Sequence, residues 1–180
     1  TALISAKETP IVATASMGVS FAEIIAVTQQ LKPVPGRLEP MEMASDITVV
    51  IDYAHTPDAL HRAITAVSEA RHQGCIWVLF GCGGDRDRGK RSEMGAVAAR
   101  LADRIVVTSD NPRGEPPEAI IQDILAGCEG ATPLVEVDRA IAISLVIAEA
   151  AAGDTVLIAG KGHETYQEIA GARIPFSDVQ

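Results

Sequence analysis

At 180 residues and a net charge of −9, the chain is long enough for one full domain, or one domain and part of another, and too acidic for a default nucleic-acid surface. It is 47% hydrophobic but only 3% aromatic, so its core must come from Val, Ile, Leu and Ala, a mixture that suits a sheet buried on both faces. Cys75, Cys82 and Cys128 show no CxxC spacing and no apolar run approaches the ~20 residues of a bilayer span, which argues against disulfide, zinc-knot and membrane classes and predicts a soluble, cytoplasmic protein.

Taken in order, Thr1 to Ser16 is rich in small residues and carries no clear cap or period. Ser20 and Glu23 then form an S-x-x-E capping box, with Val19 and Ile24 placed for a hydrophobic staple. Phe21, Ile24, Ile25, Thr28 and Leu31 give that helix one apolar face in need of a partner surface. The connector KPVPGR, Lys32 to Arg37, stops the helix and marks a domain boundary. Residues 1–35 are expected to close one domain and residues 36–180 to form another.

From Met41 the pattern is regular. Thr48 to Asp52 is a strand, and Thr56 caps a helix that starts at Pro57 and turns Leu60, Ala63, Ile64 and Val67 inward. Ile76 to Phe80 is a short apolar strand, followed by glycines and by a helix whose Met94, Val97, Ala98 and Leu101 share one face. Arg104 to Thr108 is a third strand, with a helix from Pro117 to Leu125 behind it. Leu134 to Val137 is a weaker strand, Arg139 to Ala151 an apolar helix, and Thr155 to Ala159 a further strand. Glu168 to Phe176, with Gly171 in the middle, fits a small hairpin.

This alternation predicts an α/β fold: a three-layer, Rossmann-like domain with a mostly parallel sheet of about five or six strands, helices on both faces, and a small C-terminal hairpin. In such a sheet the loops 53–58, 81–90, 109–115 and 160–164 share the carboxyl edge, where ligands bind. The polar residues of the domain concentrate in those loops.

Each loop admits a plain and a chemical reading. Gly84, Gly89 and Lys90 nearly complete a phosphate-binding P-loop, but Arg91 stands where Ser or Thr should hold magnesium. Asp110-Asn-Pro-Arg113 fits an Asx turn closed by proline; it also fits a rigid turn that presents a guanidinium to a carboxylate or phosphate. Gly160-Lys-Gly-His-Glu164 is either a flexible turn with solvated charges or a ligand loop in which Glu164 accepts an ammonium. Asp52 and His55 flank Tyr53, a pair more often structural than metal-binding, and no further ligand cluster accompanies them. The residues alone lead to a small anionic or zwitterionic ligand at the sheet edge.

Five segments in order, LKPVPGRLE (31–39), DYAHTPDAL (52–60), FGCGGDRDRGKR (80–91), SDNPR (109–113) and AGKGHE (159–164), resemble the Mur ligases, of the type that adds meso-diaminopimelate. The resemblance implies ATP-dependent amide ligation through an acyl phosphate, with magnesium shielding the phosphates. It implies a carboxy-terminal domain that delivers the amino acid and covers the nucleotide. Carried onto this sequence, Arg86, Asn111, Arg113, Gly160 and Glu164 would contact diaminopimelate, with Asp110 and Pro112 shaping the turn. Arg37, Asp52 and His55 would lie near ATP, and no metal ligand is assigned. The glycines of 81–84 would leave room for the ligand, while Lys90 and Arg91 would face nucleotide or solvent.

The family's ATP P-loop and UDP-sugar-binding domain have no counterpart here, and its last helix is not matched. A fragment inactive by itself is the expectation. Competing expectations are a folylpolyglutamate-synthase-like ligase of the same superfamily, and a small-ligand-binding module without catalysis.

Overall fold

The computed structural model describes residues 18–28, 34–43, 45–71 and 73–180. The stretch from Thr1 to Ser16, Leu31 of the first helix face and the start of the KPVPGR connector lie outside the described residues. Helix α1 (Phe21–Thr28) opens on the expected capping box: the Ser20 N–H donates to Glu23 Oε2 at 3.1 Å and the Glu23 N–H donates to Ser20 Oγ at 3.3 Å. Phe21, Ile25 and Val27 on this helix stay exposed.

The elements that follow are β1 (Glu39–Met41), β2 (Thr48–Asp52), α2 (Pro57–Ala70), β3 (Ile76–Phe80), α3 (Gly89–Leu101) and β4 (Arg104–Val107). Then come α4 (Pro117–Leu125), β5 (Leu134–Val135), α5 (Arg139–Glu149), β6 (Thr155–Ala159), β7 (Tyr166–Ile169) and β8 (Ala172–Pro175). Six strands form one sheet in the order β1-β2-β6-β3-β4-β5, parallel except for β1, and β7 and β8 form a separate antiparallel pair. Val50, Leu157 and Val78 lie in one row across the sheet.

Strict alternation along these buried strands sends every second side chain to the opposite face. Val50, Val78, Phe80, Val107 and Leu157 meet Leu60, Ile64, Met94 and Ile121 from α2, α3 and α4. Val49, Ile51, Trp77, Leu79 and Ile158 meet Ala142 and Val146 of α5 on the other face. The layers are therefore unequal, with α2, α3 and α4 on one face of the sheet and α5 on the other.

Strands β2, β3 and β6 and helix α4 have the bounds that the sequence predicts. Helix α5 stops two residues early, because Ala150 adopts an extended backbone. Strand β1 was not expected: three residues with Pro40 at their centre carry almost no strand signal, and proline is tolerated only because β1 is an edge. The hairpin starts at Tyr166 rather than Glu168, and turns through Ala170 and Gly171, both with positive φ (50° and 79°), the backbone of a type I′ turn. No described helix is long and apolar enough to cross a membrane.

Candidate functional site

Every parallel strand ends at the same edge, and the loops after β2, β3, β4 and β6 meet there. The turn after β4 is tied down most firmly. Arg113 takes the left-handed backbone (φ 52°), unusual for a residue with a Cβ. Its N–H donates to Glu168 O at 2.9 Å and its carbonyl accepts from the Ala170 N–H at 2.7 Å, so the turn is stitched to the β7–β8 hairpin. Its guanidinium donates from Nη1 to Gly84 O (2.9 Å) and from Nε to Glu168 Oε2 (3.2 Å). Nη2 keeps no protein partner among the described residues. The hairpin fixes this turn, and Nη2 of the fork is left open.

The glycine loop after β3 serves that turn. The Gly84 N–H donates to Asn111 O at 2.9 Å, and a Cβ on Gly84 would strike the Pro112 carbonyl oxygen. A Cβ on Gly83 would come within 2.8 Å of Arg113 Nη1. The space these glycines leave is thus filled by the protein's own Asp110–Arg113 turn, which corrects the expectation that it is room for a ligand.

Arg91, the residue that breaks the P-loop pattern, faces neither nucleotide nor solvent. Its side chain is buried and forks onto Glu115 (2.7 and 2.9 Å) and Asp123 (2.8 Å). Among the described residues its Nε lacks a hydrogen-bond partner. The hydrogen bond from Arg91 holds the Glu115 carboxyl down at about 2. Glu115 in turn accepts the Asp85 N–H (2.6 Å), and Asp85 accepts the Gly114 N–H (3.0 Å). Arg86 rides on this pinned loop, exposed, with Nη1 donating to Asp85 O at 2.9 Å. Lys90 reaches across to His55 O at 2.8 Å.

After β6 the chain turns at Gly160 (φ 115°), where a Cβ would sit 2.7 Å from Asp110 Oδ2. Lys161 is fully buried, and its Nζ donates to Glu164 Oε2 at 2.9 Å and to Asn111 Oδ1 at 3.1 Å. Asn111 Nδ2 donates to the same Glu164 oxygen at 2.9 Å. Burial pushes the Glu164 carboxyl up, but the hydrogen bonds from Asn111 and Lys161 outweigh it and leave the group below its ordinary range. Asp110, buried and without such donors, is pushed up by desolvation.

Gln167 caps the Asp110 carbonyl at 2.7 Å, and the Glu168 N–H donates to Asn111 Oδ1 at 3.0 Å. Sequence reasoning did not single out Gln167 or Glu168. The signal was available in the hairpin's alternation, which sends a polar Gln167 inward among buried residues.

The residues expected near a nucleotide split. Arg37 lies over the Tyr53 ring, 4.4 Å from its centroid; the His55 ring is 4.6 Å away and the His163 ring 5.5 Å. His55 Nδ1 lies 2.7 Å from Tyr53 O, a carbonyl that can only accept, so that nitrogen carries the proton, and Nε2 has no hydrogen-bond partner among the described residues. Asp52 differs: its carboxylate accepts the Leu38 N–H (2.8 Å) and the Ala54 N–H (2.7 Å), and so holds the loop on which Arg37 sits. Asp52 and His55 do not pair. Among the described residues no group of His, Cys, Asp and Glu is arranged to hold a metal ion.

A family model, Mur ligase, glutamate ligase domain, matches residues 36–162. The chain is 55% identical over 167 residues to UDP-N-acetylmuramoyl-L-alanyl-D-glutamate--2,6-diaminopimelate ligase of Acidovorax sp. (strain JS42), covering 91% of this chain and 33% of that protein. It is 54% identical over 164 residues to the ligase of the same name from Chromobacterium violaceum, again covering 91% of this chain and 33% of the relative. A solved structure of a UDP-N-acetylmuramoyl-L-alanyl-D-glutamate--2,6-diaminopimelate ligase superposes with a TM-score of 0.76 at 42% identity, over 94% of this chain and 35% of that one. The chain thus spans about a third of the length of the curated relatives it matches.

Proposed function

The chain belongs to the Mur ligase family, and from that membership we propose that residues 36–180 are the amino-acid-binding, nucleotide-covering domain of a ligase that adds meso-diaminopimelate to UDP-MurNAc-L-Ala-D-Glu. Residues 1–35 then belong to the end of the preceding ATP-binding domain. The observation that carries this reading is the juxtaposition of an open guanidinium face on Arg113 with the ionised Glu164 carboxylate, the two joined through Asn111. A zwitterionic amino acid presents the matching pair: a carboxylate for the planar fork and an ammonium for the carboxylate.

Arg86 supplies a second cation on a pinned loop. Gly160, Asp110 and Pro112 set the spacing, since Gly160 admits Asp110 where a side chain would not fit. Lysine has no second carboxylate, so the open Nη2 of Arg113 would lose a charged partner, a basis for preferring diaminopimelate over lysine.

In the whole enzyme, ATP would phosphorylate the D-glutamyl carboxylate. The free amine of diaminopimelate would then attack the acyl carbon, and the carbon–oxygen bond to phosphate would break with loss of a proton, giving amide and inorganic phosphate. Arg37, His55 and the Tyr53 ring offer a cationic, aromatic surface suited to part of the nucleotide, and Asp52 supports it from below. The phosphates and Mg2+ are assigned mainly to other parts of the ligase. The reaction is assigned to the cytoplasm, consistent with three unpaired thiols.

Calorimetric titration tests the reading. Meso-diaminopimelate should bind in preference to L-lysine and L-glutamate, and Arg113→Ala should weaken it about tenfold or more, the usual cost of losing a charged hydrogen bond. Equal binding of diaminopimelate and lysine would sink the specificity. ATP turnover that requires both diaminopimelate and the UDP-MurNAc-dipeptide is not expected from this chain alone; observing it would refute the domain assignment.

A further inference from the structure

Among the described residues three cations are almost wholly buried: Arg91, Arg139 and Lys161. Arg139 donates to both oxygens of Asp178 (2.7 and 2.8 Å) and to Ala159 O, and Arg91 to Glu115, Asp123 and Gly83 O. Each of those forks spans separate elements and holds them together. Lys161 spends its charge differently. Its acceptors, Asn111 and Glu164, lie in the two ligand-edge loops, and Asp110 Oδ1 comes no nearer than 3.9 Å. Burying an ammonium is costly, and a position that needed only bulk would accept Met or Leu at lower cost.

Two consequences follow for its neighbours. Asn111 Oδ1 accepts from Lys161 and from the Glu168 N–H, so turning the amide over would set its NH2 against an ammonium. The amide is therefore locked with Nδ2 toward Glu164. Glu164 receives both Lys161 and Asn111 on Oε2, which leaves Oε1 without a protein partner among the described residues. We propose that Lys161 is a positioning residue: by fixing the Asn111 amide and occupying one Glu164 oxygen, it keeps the other oxygen at the sheet edge for the ammonium of an incoming amino acid. The ligand half of this inference rests on the site's being the amino-acid site; the positioning half does not.

The charges that face the group are Asp110 and Glu164 beside it, the Arg139–Asp178 pair, and the Arg113–Glu168 pair, with the Tyr166 ring 5.9 Å from Nζ. Without Lys161, two carboxylates would share this pocket of low dielectric with fewer cations, and Glu164 would hold its proton to higher pH.

Carboxyl-carbon NMR titration of the 180-residue chain, with meso-diaminopimelate titrated in parallel, tests this. In the wild type Glu164 should titrate below 4.5, and Lys161→Met should raise its midpoint by about one pH unit or more, a tenfold change in proton affinity. The same variant should bind diaminopimelate about tenfold more weakly or worse. An unmoved Glu164 midpoint, or a shifted midpoint with binding within twofold, would overturn the proposal. If the wild type binds no diaminopimelate while the midpoint still moves, the positioning stands and the amino-acid reading falls. Should Lys161→Met not fold, the wild-type Asn111 side-chain amide signals decide. They must shift as Glu164 protonates, and signals indifferent to that step would refute the network.

Discussion

Arg91 and Lys161 sit at the same sheet edge, each buried and each within 2.9 Å of a glutamate, yet they work in opposite directions. Arg91 meets two carboxylates, from the loop ahead of α4 and from α4 itself, and a carbonyl of the loop after β3. That cluster ties three segments of the chain together. Lys161 meets one carboxylate and one amide, and leaves a carboxylate oxygen over. The difference lies in the grip: Arg91 holds both oxygens of Glu115 and ties scaffold together, whereas Lys161 holds one oxygen of Glu164 and leaves the other.

The comparison predicts that the Arg91 cluster governs stability. Arg91→Ala should cost about 3 kcal/mol, the low end for a broken buried pair, because Glu115 and Asp123 can still reach water. Thermal melting should fall by about 10 °C for a chain of this size. Glu164 should titrate in this variant as in the wild type. A shift of both quantities together would mean that the two clusters are one.

The acid limb of stability should be dominated by the same cluster. Glu115 drops from an ordinary 4.5 to about 2 in the folded chain, held by the Arg91 hydrogen bond. A depressed acid contributes stability that is complete above its unfolded value, so this contribution should fade as pH falls from about 4.5 to about 2. Asp123, lowered chiefly by the hydrogen bond from Arg91, adds to the same slope. Asp110, raised by burial, contributes with the opposite sign. Urea unfolding at pH 6, 4 and 3 should show the loss, and Glu115→Gln should flatten it; a wild-type slope retained in that variant would place the effect elsewhere.

What the sequence disclosed, and what it withheld, follows the same division. Periodicity located the strands Thr48–Asp52, Ile76–Phe80 and Thr155–Ala159 because a doubly buried strand is an uninterrupted apolar run. The edge came with the topology, since parallel strands must end together. Side-chain partnerships did not. Arg91 and Glu115 are 24 residues apart, and Lys161 and Asn111 are 50 apart, so no local pattern reports them. The P-loop near-match shows the limit most plainly: its Gly84 is required, but by the carbonyl of Pro112, and a Cβ on its Gly89 would meet only the Asp87 side chain. Asp52 shows it again, since a carboxylate that caps two backbone N–H groups looks, in sequence, like one held ready for chemistry.

The smallest expected effect isolates what makes these pairs matter. Asp58 and Arg62, one turn apart on α2, form an ion pair of 2.9 Å, the same separation as Lys161 to Glu164. Their side chains are both 77% exposed, whereas Lys161 is 0% and Glu164 21% exposed. Water screens the first pair and offers each partner an equal alternative, so ordering two long side chains cancels most of the gain. Arg62→Ala should therefore change unfolding free energy by less than about 0.5 kcal/mol and leave diaminopimelate binding unchanged. A loss comparable to that of Arg91→Ala would mean that distance rather than burial ranks the ion pairs of this chain, and the contrast between the Arg91 and Lys161 clusters would lose its physical basis.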